Sequence, residues 1–110
     1  MKNLVVKTVG GCMRPLISDG NIVFIRKKNN YRIGDIVLYE INSEKFLHRI
    51  TKVLPNKRYV VCDDTATTLP VEIGFENIIG FYPNIFNGLF GYFYHIVIRT
   101  IFLIKKIANL

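Results

Sequence analysis

Hydrophobic residues in the first three quarters of the chain occur in short runs separated by turn-forming residues. The runs occupy residues 4–9, 22–26, 36–39, 45–54, 58–62 and 78–82. The segments between them are rich in Gly, Asn, Asp and Pro, which favour chain reversals or tolerate a positive φ. Short apolar runs bounded by such turns are typical of antiparallel strands. We therefore predict a mainly β, antiparallel fold over residues 1–82.

The most clearly defined hairpin is predicted where a turn at residues 55–57 joins the runs at 45–54 and 58–62. Side chains two positions apart on a strand lie on the same face of the sheet. Phe46 and His48 therefore share a face. We expect His48 to be surrounded by apolar neighbours.

The composition changes abruptly at Pro83. Residues 84–110 contain many large apolar side chains and no acidic residue, a pattern that predicts an amphipathic or hydrophobic helix outside the β core. On this helix the small and polar residues fall near one stripe: Asn84, Gly88, Gly91, His95, Arg99 and Lys106. The chain thus divides into a β domain, residues 1–82, and a helical tail, residues 83–110.

Three arrangements of the tail remain open. The helix could lie on a membrane surface, with Arg99, Lys105 and Lys106 meeting anionic lipid headgroups. It could instead pack on the β domain or on a partner protein. The uncharged residues 81–98 also approach the roughly 20 residues that a membrane-spanning helix needs. We favour the surface arrangement, because it suits both the stripe and the basic residues.

The net charge of +7 over 110 residues favours an anionic partner. A nucleic-acid surface interleaves aromatic and basic side chains, whereas Tyr31 is the only aromatic residue beside the basic residues Lys27, Lys28 and Arg32. We therefore expect a membrane surface, and no nucleic acid, as the partner. Two cysteines are too few for a disulfide framework, and no secretion signal is visible at the start of the sequence. We expect the protein on the cytoplasmic side.

Several short motifs follow each other in a compact order. They are Gly10-Gly11-Cys12-Met13-Arg14-Pro15, Ser18-Asp19-Gly20-Asn21, Gly34-Asp35-Ile36-Val37, His48-Arg49, Asp63 after a short strand, and Asn77-Ile78-Ile79-Gly80. In this order, over residues 10–82, they resemble the type I signal peptidases and the related LexA-like self-cleaving repressors. The resemblance implies a signal-peptidase/LexA-like β fold and hydrolysis of a peptide bond.

The His48-Arg49 pair resembles the archaeal and endoplasmic-reticulum subgroup, which has His where other members have a Lys base. The resemblance implies that Cys12, which stands in place of the family's Ser, is the nucleophile and that His48 is its base. It also implies that Asp63 or Asp64 orients the imidazole. A thiol beside an imidazole can ionise near neutral pH, so Cys is a chemically coherent replacement.

The resemblance implies that the residues around the nucleophile bind the substrate. The backbone N–H of Cys12 would bind the oxyanion, and Gly10 and Gly11 allow the substrate backbone to approach closely. Met13 is assigned to the same substrate-binding segment. We expect the enzyme to remove a leader or signal segment from a peptide or precursor protein without a cofactor.

Other interpretations remain open. The chain could be an inactive relative that binds a peptide or partner at the membrane. Without the resemblance, Asp63 and Asp64 read equally well as an exposed turn. A zinc site built from Cys12, His48, Cys62 and an Asp has suitable ligands but lacks closely spaced cysteines, so we expect no metal.

Overall fold

The computed structural model describes residues 3–7, 22–65, 69–83 and 87–108, which form seven strands, a 3₁₀ turn and an α-helix. The elements are β1 Asn3–Lys7, β2 Ile22–Arg26, β3 Ile36–Ile41, β4 Glu44–Leu54, β5 Arg58–Cys62, β6 Val71–Gly74, the 3₁₀ turn Phe75–Asn77, β7 Ile78–Phe81 and α1 Gly88–Ala108. The predicted mainly β fold with a C-terminal helix is confirmed. Strand β6 and the 3₁₀ turn were not predicted.

The strands form one antiparallel sheet in the order β1-β2-β7-β3-β4-β5-β6. Asn42 and Ser43, both with positive φ, form the two-residue turn between β3 and β4. Such a turn matches the twist of antiparallel strands. Asn56 and Lys57 also have positive φ, and they lie in the turn between β4 and β5. Hairpins therefore place β4, the strand that carries the predicted base His48, between β3 and β5.

Two hydrophobic clusters reflect the alternation of side chains along the strands. The larger contains Tyr31, Val37, Tyr39, Ile50, Tyr59, Val61 and Ile73. The smaller contains Ile25, Ile36 and Leu38. His48 pairs with Val37 in the sheet and so lies on the face of the larger cluster, as its position in the sequence predicted. The next residue, Arg49, lies on the opposite face, where its guanidinium contacts Tyr94 of α1.

Helix α1 packs on the β domain through the stripe of small and polar residues. Gly88, Gly91 and His95 are its buried residues. The large apolar side chains face outward, with exposed fractions between 43% and 71%: Leu89, Phe90, Phe93, Ile96, Val97, Ile101, Leu103, Ile104 and Ile107. The helix therefore inverts the usual arrangement of an amphipathic helix on a soluble domain, in which the apolar stripe faces the core.

Two glycines bring the backbone of the β domain against the start of α1. Gly34, just before β3, has a φ of +91°. A Cβ atom at Gly34 would overlap the carbonyl oxygen of Gly88, so the two backbones meet with no side chain between them. Asn87 strengthens this junction, because its Nδ2 donates to the Tyr82 carbonyl at 2.7 Å.

Candidate functional site

The predicted site residues are divided between described and undescribed parts of the chain. Gly10, Gly11, Cys12 and Met13 lie outside the described residues, so the pairing of Cys12 with His48 stays a prediction. His48, Asp63 and Asp64 are all described and all buried. These three side chains define the part of the candidate site that the structure contains.

The imidazole of His48 is held within an aromatic group on the face of the larger cluster. Its ring stacks on Phe46 at a centroid distance of 6.0 Å and lies 5.8 Å from the ring of Tyr39. Its Nδ1 is 2.9 Å from the Tyr39 hydroxyl, and only 7% of the residue is exposed. Burial lowers the pKa of His48, while the charges of Asp63 and Asp64 oppose that shift. The ring is therefore neutral near pH 7 and can accept a proton.

Asp64 is the centre of a buried ionic network. Its two carboxylate oxygens accept hydrogen bonds from Nε and Nη2 of Arg49 at 3.1 and 3.0 Å. His95 of α1 places its Nδ1 2.6 Å from Oδ1 of the same carboxylate. Arg49 also donates from Nη1 to the carbonyl of Gly34 at 2.8 Å. A bidentate Arg–carboxylate pair is strongly directional, so Asp64 fixes Arg49 and His95 together.

Asp63 holds the next turn of α1. Nη1 of Arg99 lies 2.9 Å from Oδ1 of Asp63 and also donates to the Asp63 carbonyl at 3.0 Å. The hydroxyl of Thr65 donates to the other carboxylate oxygen at 3.1 Å. The alternative of an exposed turn at Asp63 and Asp64 is wrong, because both residues are fully buried and paired with cations.

The structure also moves Arg99 away from its expected place at the lipid headgroups. The buried Asp63 carboxylate needs a compensating charge, and Arg99 supplies it on the inner side of the helix. Within the described part of the chain, the ring of His48 hydrogen-bonds to Tyr39, and the two aspartates act on His48 through their charges. The orienting role of Asp63 or Asp64 stays a prediction.

Cys62 is a free thiol close to the same aspartates. It is buried, and its Sγ lies 3.9 Å from Oδ1 of Asp63. Burial raises the pKa of the Cys62 thiol above its ordinary value, although the charge of Arg99 opposes the shift. Cys62 is therefore a poor nucleophile at neutral pH. Among the residues that the structure describes, no three His, Cys, Asp or Glu side chains form a group that could hold a metal ion.

Sequence reasoning missed the roles of Tyr39 and Arg49. It did not assign Tyr39 to the site, and it treated Arg49 only as the second residue of the His48-Arg49 motif. A usable signal for the helix contact was present: Asp63 and Asp64 are adjacent acidic residues, and the polar stripe of the helix carries His95 and Arg99 four positions apart. Residues at that spacing share one helix face. The sequence therefore offered His95 and Arg99 as partners for the two adjacent aspartates.

The comparisons with known proteins agree with the fold. A family model described as Peptidase S24-like matches residues 2–80. The matched segment contains Cys12, His48, Asp63 and Asp64, and it ends before α1 begins. None of the curated proteins matches the chain.

Proposed function

Because the chain belongs to the Peptidase S24-like family, we propose that it is a peptidase that removes a leader or signal segment from a peptide precursor. Cys12 is the nucleophile and His48 is the base. The observation that carries the proposal is the setting of His48, which is buried, neutral and held at Nδ1 by the Tyr39 hydroxyl. When Nδ1 of a ring held in this way carries the ring proton, Nε2 can accept the proton of the nucleophile.

The reaction follows from this assignment. The Cys12 thiol gives its proton to Nε2 of His48, and the sulfur forms a bond to the peptide carbonyl carbon. His48 then gives that proton to the leaving amine as the C–N bond breaks, which leaves a thioester. A water molecule gives a proton to Nε2 and attacks the thioester. The C–S bond breaks, and the departing sulfur takes back that proton from His48.

The charges around His48 suit these proton transfers. Asp63 and Asp64 favour the imidazolium that forms in each step, because both carboxylates raise the pKa of His48. Burial acts in the opposite direction and is the larger effect, so the ring returns its proton readily. The backbone N–H of Cys12 binds the oxyanion, beside Gly10, Gly11 and Met13.

A second candidate function is an inactive relative that binds a peptide or partner at the membrane. One observation favours it: the carboxylates of Asp63 and Asp64 hold Arg99, Arg49 and His95 by hydrogen bonds. In such an inactive relative, the aspartates attach the helix to the β domain. The replacement of the family's Ser by Cys12 then marks the loss of catalysis.

Cleavage of a peptide pool distinguishes the two functions. The full-length protein is incubated with a proteome-derived peptide mixture, and new termini are identified by mass spectrometry. We expect cleavage by the wild-type protein and by Cys62→Ala, and no cleavage by Cys12→Ala or His48→Gln. A wild-type protein that retains peptides without producing new termini supports the inactive relative.

The membrane surface is the proposed partner of α1. The helix is long and apolar enough to cross a membrane, and 17% of its most apolar stretch is buried in the protein. Its 21 residues extend about 31 Å. Its inner stripe is occupied by the β domain, so a helix that crossed the bilayer in this packing would carry the domain into the lipid. We therefore place α1 flat on the cytoplasmic surface.

Basic residues at both ends of α1 suit an anionic surface. Arg32 lies beside Gly88 at the start of the helix, and Lys105 and Lys106 lie in its last turn. The described residues of the segment from 87 to 108 include no acidic side chain. Each basic residue near an anionic surface contributes about 1 kcal/mol, and the apolar face adds the hydrophobic contribution.

Vesicle binding tests this placement with a matched pair of variants. Phe93 on α1 and Phe24 on β2 are 67% and 62% exposed. We expect Phe93→Gln to weaken cosedimentation with phosphatidylglycerol vesicles and Phe24→Gln to leave it unchanged. High salt should reduce binding without abolishing it. Equal effects of the two variants, or a dimer in solution that does not bind vesicles, would contradict the placement.

A further inference from the structure

The contact between Tyr39 and His48 joins two buried side chains on neighbouring strands. Tyr39 is 2% exposed and lies on β3, and His48 is 7% exposed and lies on β4. The oxygen–nitrogen distance is 2.9 Å. Phe46 stacks on both rings, at 5.4 Å from Tyr39 and 6.0 Å from His48, so neither ring can turn without disturbing the other two. The hydrogen bond therefore has a fixed geometry.

The direction of this hydrogen bond determines what His48 can do. If Nδ1 carries the proton, it donates to the Tyr39 oxygen, and Nε2 keeps its lone pair for an incoming proton. If the tyrosine hydroxyl donates to Nδ1, the ring proton lies on Nε2, and that nitrogen cannot accept a proton from a thiol. Only the first tautomer serves a base that acts through Nε2.

We infer that Tyr39 is a positioning residue that accepts the Nδ1 proton of His48 and so keeps Nε2 ready for the nucleophile. The inference rests on the proposed function for its role in cleavage. The contact itself does not depend on that function. Tyr39 thereby takes a role for which sequence reasoning proposed Asp63 or Asp64.

The surroundings of the two aspartates support this division of roles. The Asp64 carboxylate binds Arg49 and His95, and the Asp63 carboxylate binds Arg99 and Thr65. A neutral hydroxyl stabilises an imidazolium less than a carboxylate does, since hydrogen bonds to charged groups are the stronger class. Burial lowers the pKa of His48, and the charges of the two aspartates oppose that shift.

Nitrogen NMR of the histidine rings tests the inference without a substrate. The sequence contains two histidines, His48 and His95, so ¹⁵N-histidine labelling gives few signals, and His48→Gln assigns them. Above the titration of His48, we expect its proton on Nδ1 in the full-length protein. A proton on Nε2 would overturn the inference.

The variant Tyr39→Phe keeps the aromatic ring and removes only the hydroxyl. We expect the His48 signals to show a mixture of tautomers and its pKa to fall further, because the imidazolium loses an acceptor. The shift should be about 0.5–1 unit, and cleavage should slow by roughly tenfold, as expected for the loss of one buried hydrogen bond. The acid limb of the pH–rate profile should move by the same amount.

Two controls separate positioning from a general effect on the core. Tyr59 is buried in the same cluster and packs against Tyr31, so Tyr59→Phe removes a hydroxyl without touching His48. His95 pairs with Asp64 and should keep its tautomer in Tyr39→Phe. Unchanged His48 signals in Tyr39→Phe, or the same change in Tyr59→Phe, would overturn the inference. An inactive wild-type protein with the expected tautomer would refute the proposed function alone.

Discussion

Nη1 of Arg99 lies 2.9 Å from Oδ1 of Asp63, which joins a helix residue with 23% side-chain exposure to a fully buried carboxylate. One helical turn earlier, His95 makes the corresponding contact with Asp64. Two contacts on successive turns of one stripe fix the rotation of α1 about its axis. These two contacts therefore determine which side of the helix faces outward.

Removing the Arg99 charge should destabilise the protein. Arg99→Met leaves the Asp63 carboxylate buried without its ion-pair partner, which typically costs about 3 kcal/mol. We expect that loss in the free energy of urea-induced unfolding. Arg58 provides the matched control, because it pairs with Glu72 at 2.6 Å in an exposed position. Arg58→Met should leave the urea midpoint nearly unchanged. Equal losses in the two variants would show that burial of the Asp63 pair has no special effect.

Gly34 should not tolerate a side chain. Gly34→Ala combines an unfavourable positive φ with overlap of the new Cβ and the Gly88 carbonyl. We expect a loss of at least about 2 kcal/mol in urea-induced unfolding. The converse change, Ser43→Gly, relieves a φ of 68° in the turn after β3 and should stabilise the protein by about 1 kcal/mol. A neutral Gly34→Ala would contradict the close approach of the two backbones.

The two cysteines should differ in reactivity at neutral pH. Burial raises the pKa of Cys62, so its thiol should react slowly with iodoacetamide. Cys12, beside His48 in the proposed site, should react well below the free-thiol pKa of roughly 8.5. Alkylation rates measured from pH 5 to 9 in Cys12→Ala and Cys62→Ala separate the two thiols. An ordinary titration of Cys12 in Cys62→Ala would indicate an idle thiol.

The titration of His48 should make stability depend on pH in a defined direction. The pKa of His48 in the folded protein is lowered below its ordinary value of 6.5. Between that lowered pKa and 6.5, the unfolded chain binds more protons at this residue, so this contribution to stability falls as the pH falls. His48→Gln should remove this part of the slope in a series of urea titrations from pH 4.5 to 8. An unchanged slope would contradict the lowered pKa.

Sequence patterns predicted the strands well where local chemistry decides the structure. The runs at 22–26 and 58–62 coincide with β2 and β5, because turn residues bound both runs. Strand β6, Val71–Gly74, has four residues and depends on pairing with β5, a contact between segments that local propensity does not encode. Short strands of this kind appear only when the sheet forms.

The candidate site could be predicted in part. The position of His48 on an apolar face followed from strand alternation, and its burial agrees. The hydrogen bond to Tyr39 did not follow, because it depends on the register of β3 against β4. Of the predicted stripe on α1, Gly88, Gly91 and His95 are buried, Lys106 is exposed, and Asn84 lies outside the described residues. The side of the helix that packs on the protein depends on the buried charges of Asp63 and Asp64.

Helix α1 is attached to the β domain along its first half, and its C-terminal end projects from the domain. Its buried residues, Gly88, Gly91 and His95, all lie in its first eight positions, and residues 103–108 are exposed. From Arg99, which is bound to Asp63, to Ala108 the helix extends about 13 Å. A rotation of about 10° at Arg99 would displace the tip by roughly 2 Å at that length. A rearrangement beside Asp63 and Asp64 would therefore move Lys105 and Lys106, and a force on the end of the helix would act back on the same two aspartates.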